Sequence, residues 1–409
     1  MITPKLRFSE FNSGWRNVTL GSLSMLVTSG SRDWAQHYSE MGSKFIRMTN
    51  LSRDQIDLLL DDVRYVDVSS NSSDGRRTSL ISGDILMSIT AELGKIGVIP
   101  DGFGEAYINQ HTALIRLNEG VNPRFIAQLL GTKRQNKKIN KLNDAGAKAG
   151  LNLPTIKSLE IAIPDSDEQK KIASFLAVID QKISSLTKKH NLLIQYKKGV
   201  MQKIFDQEIR FKEKGGKDFP KWNICTLNER VLSIGSGGTP RSTTAAYYNG
   251  GIPWVSIADM TEQGKYISKT KKTLSSEGLK NSSAKLFPVG TVLYAMYASI
   301  GECSLADIGA STSQAILGIQ TKPSELNNEF LYHWLCSIKD RVILMGQQGT
   351  QSNLNLEIVK NFEMNLPSLP EQMVIKSFLN VLDENIRIYG KRVELIKQYK
   401  QGLLQQMFV

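Results

Sequence analysis

EQKKIASFLAVIDQKISSLTKKHNLLIQYKKGVMQKIF occupies residues 168–205, and EQMVIKSFLNVLDENIRIYGKRVELIKQYKQGLLQQMF occupies residues 371–408. They align without a gap, 203 residues apart, with 17 identities in 38 positions. Such self-similarity identifies an internal repeat, and a repeat fixes the architecture before any single motif is considered. Within each copy, positions stepping alternately by four and three are mostly apolar, eight of ten in the first and nine of ten in the second. The positions are Ile172, Leu176, Ile179, Ile183, Leu186, His190, Leu193, Lys197, Val200 and Ile204, then Ile375, Leu379, Leu382, Ile386, Tyr389, Val393, Ile396, Lys400, Leu403 and Met407. A 3.5-residue period held over nearly five heptads predicts a long helix with a coiled-coil seam. Pro164 and Pro367 stand just before each copy, where a proline can precede a helix without interrupting it.

The match continues outward from the helices. AGLNLPTIKSLEIAIP (149–164) pairs with SNLNLEIVKNFEMNLP (352–367), LRF (6–8) with IRF (209–211), Trp15 with Trp222, and Asn109-Gln110 with Ser313-Gln314. The chain therefore reads as globular domain (1–163), helix (164–207), globular domain (208–366), helix (367–409). The helices resemble each other far more than the domains do. That contrast points to a shared structural task for the helices and different binding tasks for the domains.

Short β-like runs such as GDILMSIT (83–90), TALIRL (112–117), GTVLYAMYA (290–298) and AILGIQ (315–320), with helices expected at 123–142 and 327–345, make each domain mixed α/β. The chain of 409 residues carries a net charge of +12. Residues 168–205 supply half of that excess, with eight Lys+Arg against two acids. A basic balance of this size favours a polyanionic partner. Loops equivalent in the two halves, SGSRDW (29–34) and GSGGTPRS (235–242), offer glycines for close backbone approach, hydroxyls for phosphate and an arginine for phosphate or guanine. The polar loops AGAKAGLNL (145–153) and QGTQSNLNL (348–356) are further candidates. The expected DNA contacts are Ser29, Ser31, Arg32, Trp34, Arg47, Asn109, Gln110 and Lys148 in the first half. In the second half they are Gly237, Gly238, Thr239, Arg241, Ser256, Gln314, Thr350 and Gln351.

No nucleotide loop, zinc-protease helix or nucleophile elbow is present. Asp165, Glu168 and Lys170 mimic a nuclease fragment, but the second copy, PSLPEQM, loses the aspartate and the lysine. Cys225, Cys303 and Cys336 form no metal-binding or disulfide pattern. Without a leader-like segment or an apolar run of 18 residues, the expected location is the cytoplasm, away from membranes. Phe175, Phe205, Phe378 and Phe408 lie off the strict seam, which suggests an apolar surface for a protein partner or, alternatively, packing on the chain's own globular domains.

Taken together, PDSDEQKKIASFLAVID (164–180), PSLPEQMVIKSFLNVLD (367–383), their endings QYKKGVMQKIF and QYKQGLLQQMF, the LRF/IRF and tryptophan echoes, and GGTPRSTTAAYYNGGIPWVSIADM (237–260) resemble the specificity subunit of a type I restriction–modification enzyme. The resemblance spans essentially the whole chain. It implies an α/β fold of two target recognition domains, joined by two long helices that form an antiparallel coiled coil with a pseudo-two-fold repeat. Each domain would read half of a bipartite, asymmetric site in double-stranded DNA. It further implies a chain that catalyses nothing and holds no cofactor. Two methyltransferase subunits would bring S-adenosylmethionine, and restriction motor–nuclease subunits would bring ATP and magnesium. A stand-alone bipartite DNA-binding regulator is the competing expectation.

Overall fold

A computed structural model describes residues 3–68, 73–142, 150–348 and 354–409. The chain divides into two compact units, residues 1–188 with 390–409, and residues 189–389. The long helices run Ser166–Phe205 and Leu369–Met407, so each contributes one part to each unit. Acidic residues occupy the first turn of both, Asp167 and Glu168 in one and Glu371 in the other, where the helix dipole favours them. Just past the first helix, Gln207 adopts a left-handed conformation (φ 61°) and turns the chain away.

In the first unit, an antiparallel sheet runs in the order Ser24–Ser29, Thr112–Leu117, Ile85–Ser88, Ile96–Val98. A second sheet runs Tyr38–Ser39, Arg64–Val66, Ser43–Ile46, Ala106–Ile108, the last two strands being parallel. The second unit repeats the plan. Its larger sheet is ordered Val231–Ser236, Ile316–Thr321, Val292–Ala295, Cys303–Ala306, Tyr266–Ile267. Its smaller sheet is ordered Lys272–Leu274, Tyr248–Val255, Ala310–Thr312, Leu286–Phe287. Two helical stretches expected from sequence are each broken once. Pro123–Leu130 and Lys133–Lys141 are separated at Thr132, which caps the second piece, and Asn328–Ser337 and Lys339–Gln348 are separated at Ile338.

The same joint ties domain to helix in both units. In the first, the buried Glu168 carboxylate accepts from Arg7 Nε and Nη2, both at 2.7 Å, and from Trp15 Nε1 at 3.3 Å. In the second, Glu371 accepts from Arg210 Nη2 at 2.8 Å and Trp222 Nε1 at 2.9 Å. The next residue repeats too. Gln169 accepts from the Asn122 N–H at 3.1 Å and donates to the Pro164 carbonyl at 2.9 Å, and Gln372 does the same with Asn327 and Pro367, at 2.9 and 3.0 Å. A fork–fork arginine–carboxylate pair fixes orientation as well as distance. The carboxylate of the nuclease-like fragment is thus a structural anchor, and no cluster of three or more metal-ligating side chains occurs among the described residues.

Most seam positions are buried or half-buried, with Ile172, Ile179, Ile183, Ile375, Leu382 and Leu403 under 10% exposed. Leu186, Leu193, Ile386 and Ile396 are half-buried. In the second unit, Lys189 lies 4.5 Å from the Tyr389 ring centroid and Lys197 lies 2.5 Å from Asp383, so the partners run backwards along the second helix. The pairing is therefore antiparallel. The seam lysines do not extend into water. Lys400 sits 2.6 Å from Asp180 with both side chains about 5% exposed, and Asp180 also accepts from Gln128 at 2.7 Å. The four off-seam phenylalanines face their own domains. Phe175 meets Phe8, Phe408 meets Trp15 and Phe125, Phe205 meets Phe330, and Phe378 meets Phe211, at centroid separations of 5.3–6.4 Å. Packing on the chain's own domains is thus the alternative these contacts support, and Phe378 also lines a groove with Met373, Val374 and Val381. The four fill the joint, because their helical positions sit beside the seam on the domain side.

Where the first unit places Gln128 against Asp180, the second places His333 in the same helix position, six residues after the capping asparagine. His333 is fully buried, donates from Nε2 to Asn380 Oδ1 at 2.8 Å and lies 3.9 Å from Asp383. Lys265 also reaches Asp383, at 3.2 Å. Burial first, and the Lys265 ammonium next, push the His333 pKa down to about 3. The unfolded chain takes a proton near pH 6.5 that the folded one refuses until about 3, so this residue's contribution is whole above 6.5 and declines as pH falls. At about 1.4 kcal/mol per pH unit, denaturant melts should lose roughly 2 kcal/mol between pH 7 and 5. His333→Gln should remove that increment, and equal pH dependence in both chains would contradict a neutral His333.

Candidate nucleic-acid interface

In the first unit, the chain leaves the strand Ser24–Ser29, passes Gly30 and crosses the end of the strand Ala106–Ile108. A Cβ at Gly30 would lie 2.2 Å from the Ile108 carbonyl oxygen, so only glycine permits the crossing. Ser31 then forms a parallel bridge with Asn109, and its carbonyl accepts from the Gln110 N–H at 3.1 Å. These two loops bound a cleft of about 570 Å³. Ser29, Ser31, Arg32 and Gln110, all anticipated from sequence, line it, together with Arg77, Thr90 and His111, which were not. Arg77 Nη2 donates to Ser31 Oγ at 2.6 Å. His111 Nδ1 is 2.8 Å from Thr90 Oγ1, and its Nε2 is 3.1 Å from Gln110 Nε2. An open cleft with an exposed arginine, hydroxyls and an amide on a rigid sheet end suits hydrogen bonding to phosphates and base edges.

Other candidates have structural work instead. Trp34 is 5% exposed and packs in the core on Phe45 and Tyr107 at centroid separations of 4.8 and 5.5 Å. Arg47 is engaged by Asp62, with Nη2 2.9 Å from the carboxylate. Asn109 Oδ1 accepts from the His111 N–H at 3.1 Å and holds the turn. Lys148, Thr350 and Gln351 lie outside the described residues.

The second unit crosses its strands the same way. A Cβ on Gly237 would stand 2.1 Å from Thr312, and one on Gly238 would stand 2.4 Å from Ala284. Trp254 Nε1 donates to the Gly238 carbonyl at 3.0 Å. These two glycines are demanded by the protein's own chain crossing. Ser256 caps the helix Ile257–Gln263, its hydroxyl 2.6 Å from Asp259 Oδ2. Thr239, Arg241 and Gln314 remain on the exposed surface, and the Thr239 hydroxyl donates to Gln314 Oε1. Lys272, on the edge strand Lys272–Leu274, lies over the Trp254 ring. Arg77, Thr90 and His111 gave no sequence signal, because each sits in a different segment and only the fold brings them together.

No helix among the described residues is long and apolar enough to cross a membrane. Comparison with known proteins agrees with the repeat. The family model for the type I restriction modification DNA specificity domain matches twice, at residues 12–195 and 220–398. A protein of Methanocaldococcus jannaschii, provisionally named as the MjaX specificity subunit of a type I restriction enzyme, is 25% identical over 98% of this chain and 94% of its own length. The MjaIX specificity subunit of the same organism is 27% identical over 50% of this chain and 48% of its own. In fold, the chain is similar to the crystal structure of a type I restriction–modification S subunit from M. genitalium, with TM-score 0.63 and 15% identity, covering 100% of this chain and 99% of that one. With both halves matched and the helical joint built twice, the chain belongs to the family of type I restriction–modification DNA specificity subunits.

Proposed function

We propose that this chain reads a bipartite, asymmetric sequence in double-stranded DNA, one half-site per domain, and organises the subunits that act on it. The observation that carries this reading is the repeated scaffold with unlike loops. The joints Arg7–Glu168–Trp15 and Arg210–Glu371–Trp222 are chemically the same, while the loop glutamines are held differently, Gln110 by His111 with Thr90 behind it and Gln314 by Thr239. Two methyltransferase subunits supply S-adenosylmethionine chemistry and motor–nuclease subunits supply ATP and magnesium, while this cytoplasmic chain itself catalyses nothing. A stripe on the second helix supports a protein partner in place of the phenylalanines. Met373, Val374 and Val381 there are 43%, 36% and 60% exposed, and Val178 on the first helix is 66% exposed. That stripe weighs against a stand-alone regulator.

The test is co-expression with the methyltransferase subunit of the same host, followed by sequencing of methylated sites. The expected product is one interrupted motif with two unlike halves. A continuous palindrome, or a chain that purifies without the methyltransferase subunit, would refute the reading. DNA affinity of the complex should fall by about 10³-fold or more between 50 and 200 mM salt if six or more phosphates are neutralised.

A further inference from the structure

Gln110 and Gln314 occupy equivalent places. Each stands two residues beyond the short strand that pairs in parallel within the smaller sheet, Ala106–Ile108 in the first unit and Ala310–Thr312 in the second. Each precedes the strand that pairs with the opening strand of the larger sheet. The two amides are held from opposite ends.

Gln110 is held by its nitrogen. Its Nε2 donates to His111 Nε2, 3.1 Å away, which requires the other ring nitrogen to carry the proton. That proton has an acceptor, since Nδ1 is 2.8 Å from Thr90 Oγ1. The relay Thr90–His111–Gln110 leaves the Gln110 carbonyl oxygen and one N–H free to meet a ligand. Gln314 is held by its oxygen. Its Oε1 accepts from the Thr239 hydroxyl, which can only donate in that contact. Both amide protons of Gln314 remain unclaimed.

We infer that the two glutamines read different bases: Gln110 the adenine of an A·T pair, and Gln314 the guanine of a G·C pair. Adenine shows one donor and one acceptor in the major groove, N6–H and N7, which match one free acceptor and one free donor on Gln110. Guanine shows two acceptors, N7 and O6, which match the paired donors of Gln314. His111, Thr90 and Thr239 are positioning residues; they set which edge of each amide faces outward. The inference rests on the DNA-reading function proposed above and assigns one base position to each domain.

The experiment uses the full chain co-expressed with its methyltransferase subunit, with methylated sites sequenced for each variant. Gln110→Ala should relax one A·T position in one half-site, with discrimination falling about tenfold or more, the scale of a lost bidentate contact. Gln110→Glu, an acceptor only, should shift that position towards cytosine, whose N4 donates. Thr239→Val should release the Gln314 oxygen and let adenine be accepted at one guanine position of the other half-site. His111→Phe should loosen the same position as Gln110→Ala and no other, a readout that general destabilisation would not give. A motif unchanged by Gln110→Ala, a relaxed position that is not A·T, or a Thr239→Val change in the wrong half-site would overturn the inference. Absence of any bipartite motif in the unmodified complex would instead refute the proposed function.

Discussion

Replacing Lys400 with methionine is expected to destabilise the first unit by about 3–5 kcal/mol, the cost of leaving one member of a buried ion pair uncompensated. Asp180 would keep only the Gln128 amide for its second oxygen, and its own side chain is 6% exposed, so the loss of the ammonium leaves a largely desolvated carboxylate. The double variant Asp180→Leu, Lys400→Met should recover most of that loss, because a buried pair exchanged for apolar groups of similar volume is often neutral or better. Recovery would be incomplete, since Gln128 loses its acceptor. Denaturant melts of the three chains decide the matter. A Lys400→Met loss below about 1 kcal/mol, the range of an exposed pair, would mean that water reaches the carboxylate after all. If stability recovers but pairing specificity falls, the pair serves register, as polar seam residues do in other coiled coils.

The second large effect concerns recognition. Exchanging residues 208–366 for the corresponding domain of another family member should replace one half-site completely and leave the other untouched. Each wrong base pair costs about 1–3 kcal/mol, so a half-site with even three mismatches should lose methylation by about a hundredfold or more. The graft must bring its own arginine and tryptophan for Glu371, and an asparagine whose N–H can meet Gln372. Without them Glu371, whose side chain is 0% exposed, becomes an unpaired buried carboxylate. Methylation mapping that shows both half-sites changed would refute independent reading by the domains.

The helices were legible because their signal is long. Ten seam positions per copy over nearly five heptads leave little room for another reading. The strands were only partly legible. Thr112–Leu117 and Ile316–Thr321 have six residues each, but Tyr38–Ser39, Tyr266–Ile267 and Leu286–Phe287 have two, too few for any alternation to show. The Lys400–Asp180 pair was half visible: the lysine interrupts the apolar seam, but Asp180 flanks Ile179 and looks like an ordinary solvated acid. The same limit explains the site. Ser31, Arg32 and Gln110 lie in loops whose composition announces hydrogen bonding, whereas Trp34 has an aromatic signature that suits a stacking surface and a core equally well. His111 and Arg77 become informative only when a sheet end sets them beside Gln110 and Ser31.

The duplicated Arg–Glu–Trp anchor has an evolutionary corollary. Since the Arg–Glu–Trp anchors lie apart from Thr90, His111, Thr239 and Gln314, substitutions at those four positions would, on the proposed reading, change the sequence read while leaving the anchors intact. If each domain reads its own half-site, a lineage carrying such a protein could drift to a new sequence preference one half at a time, with both anchors kept.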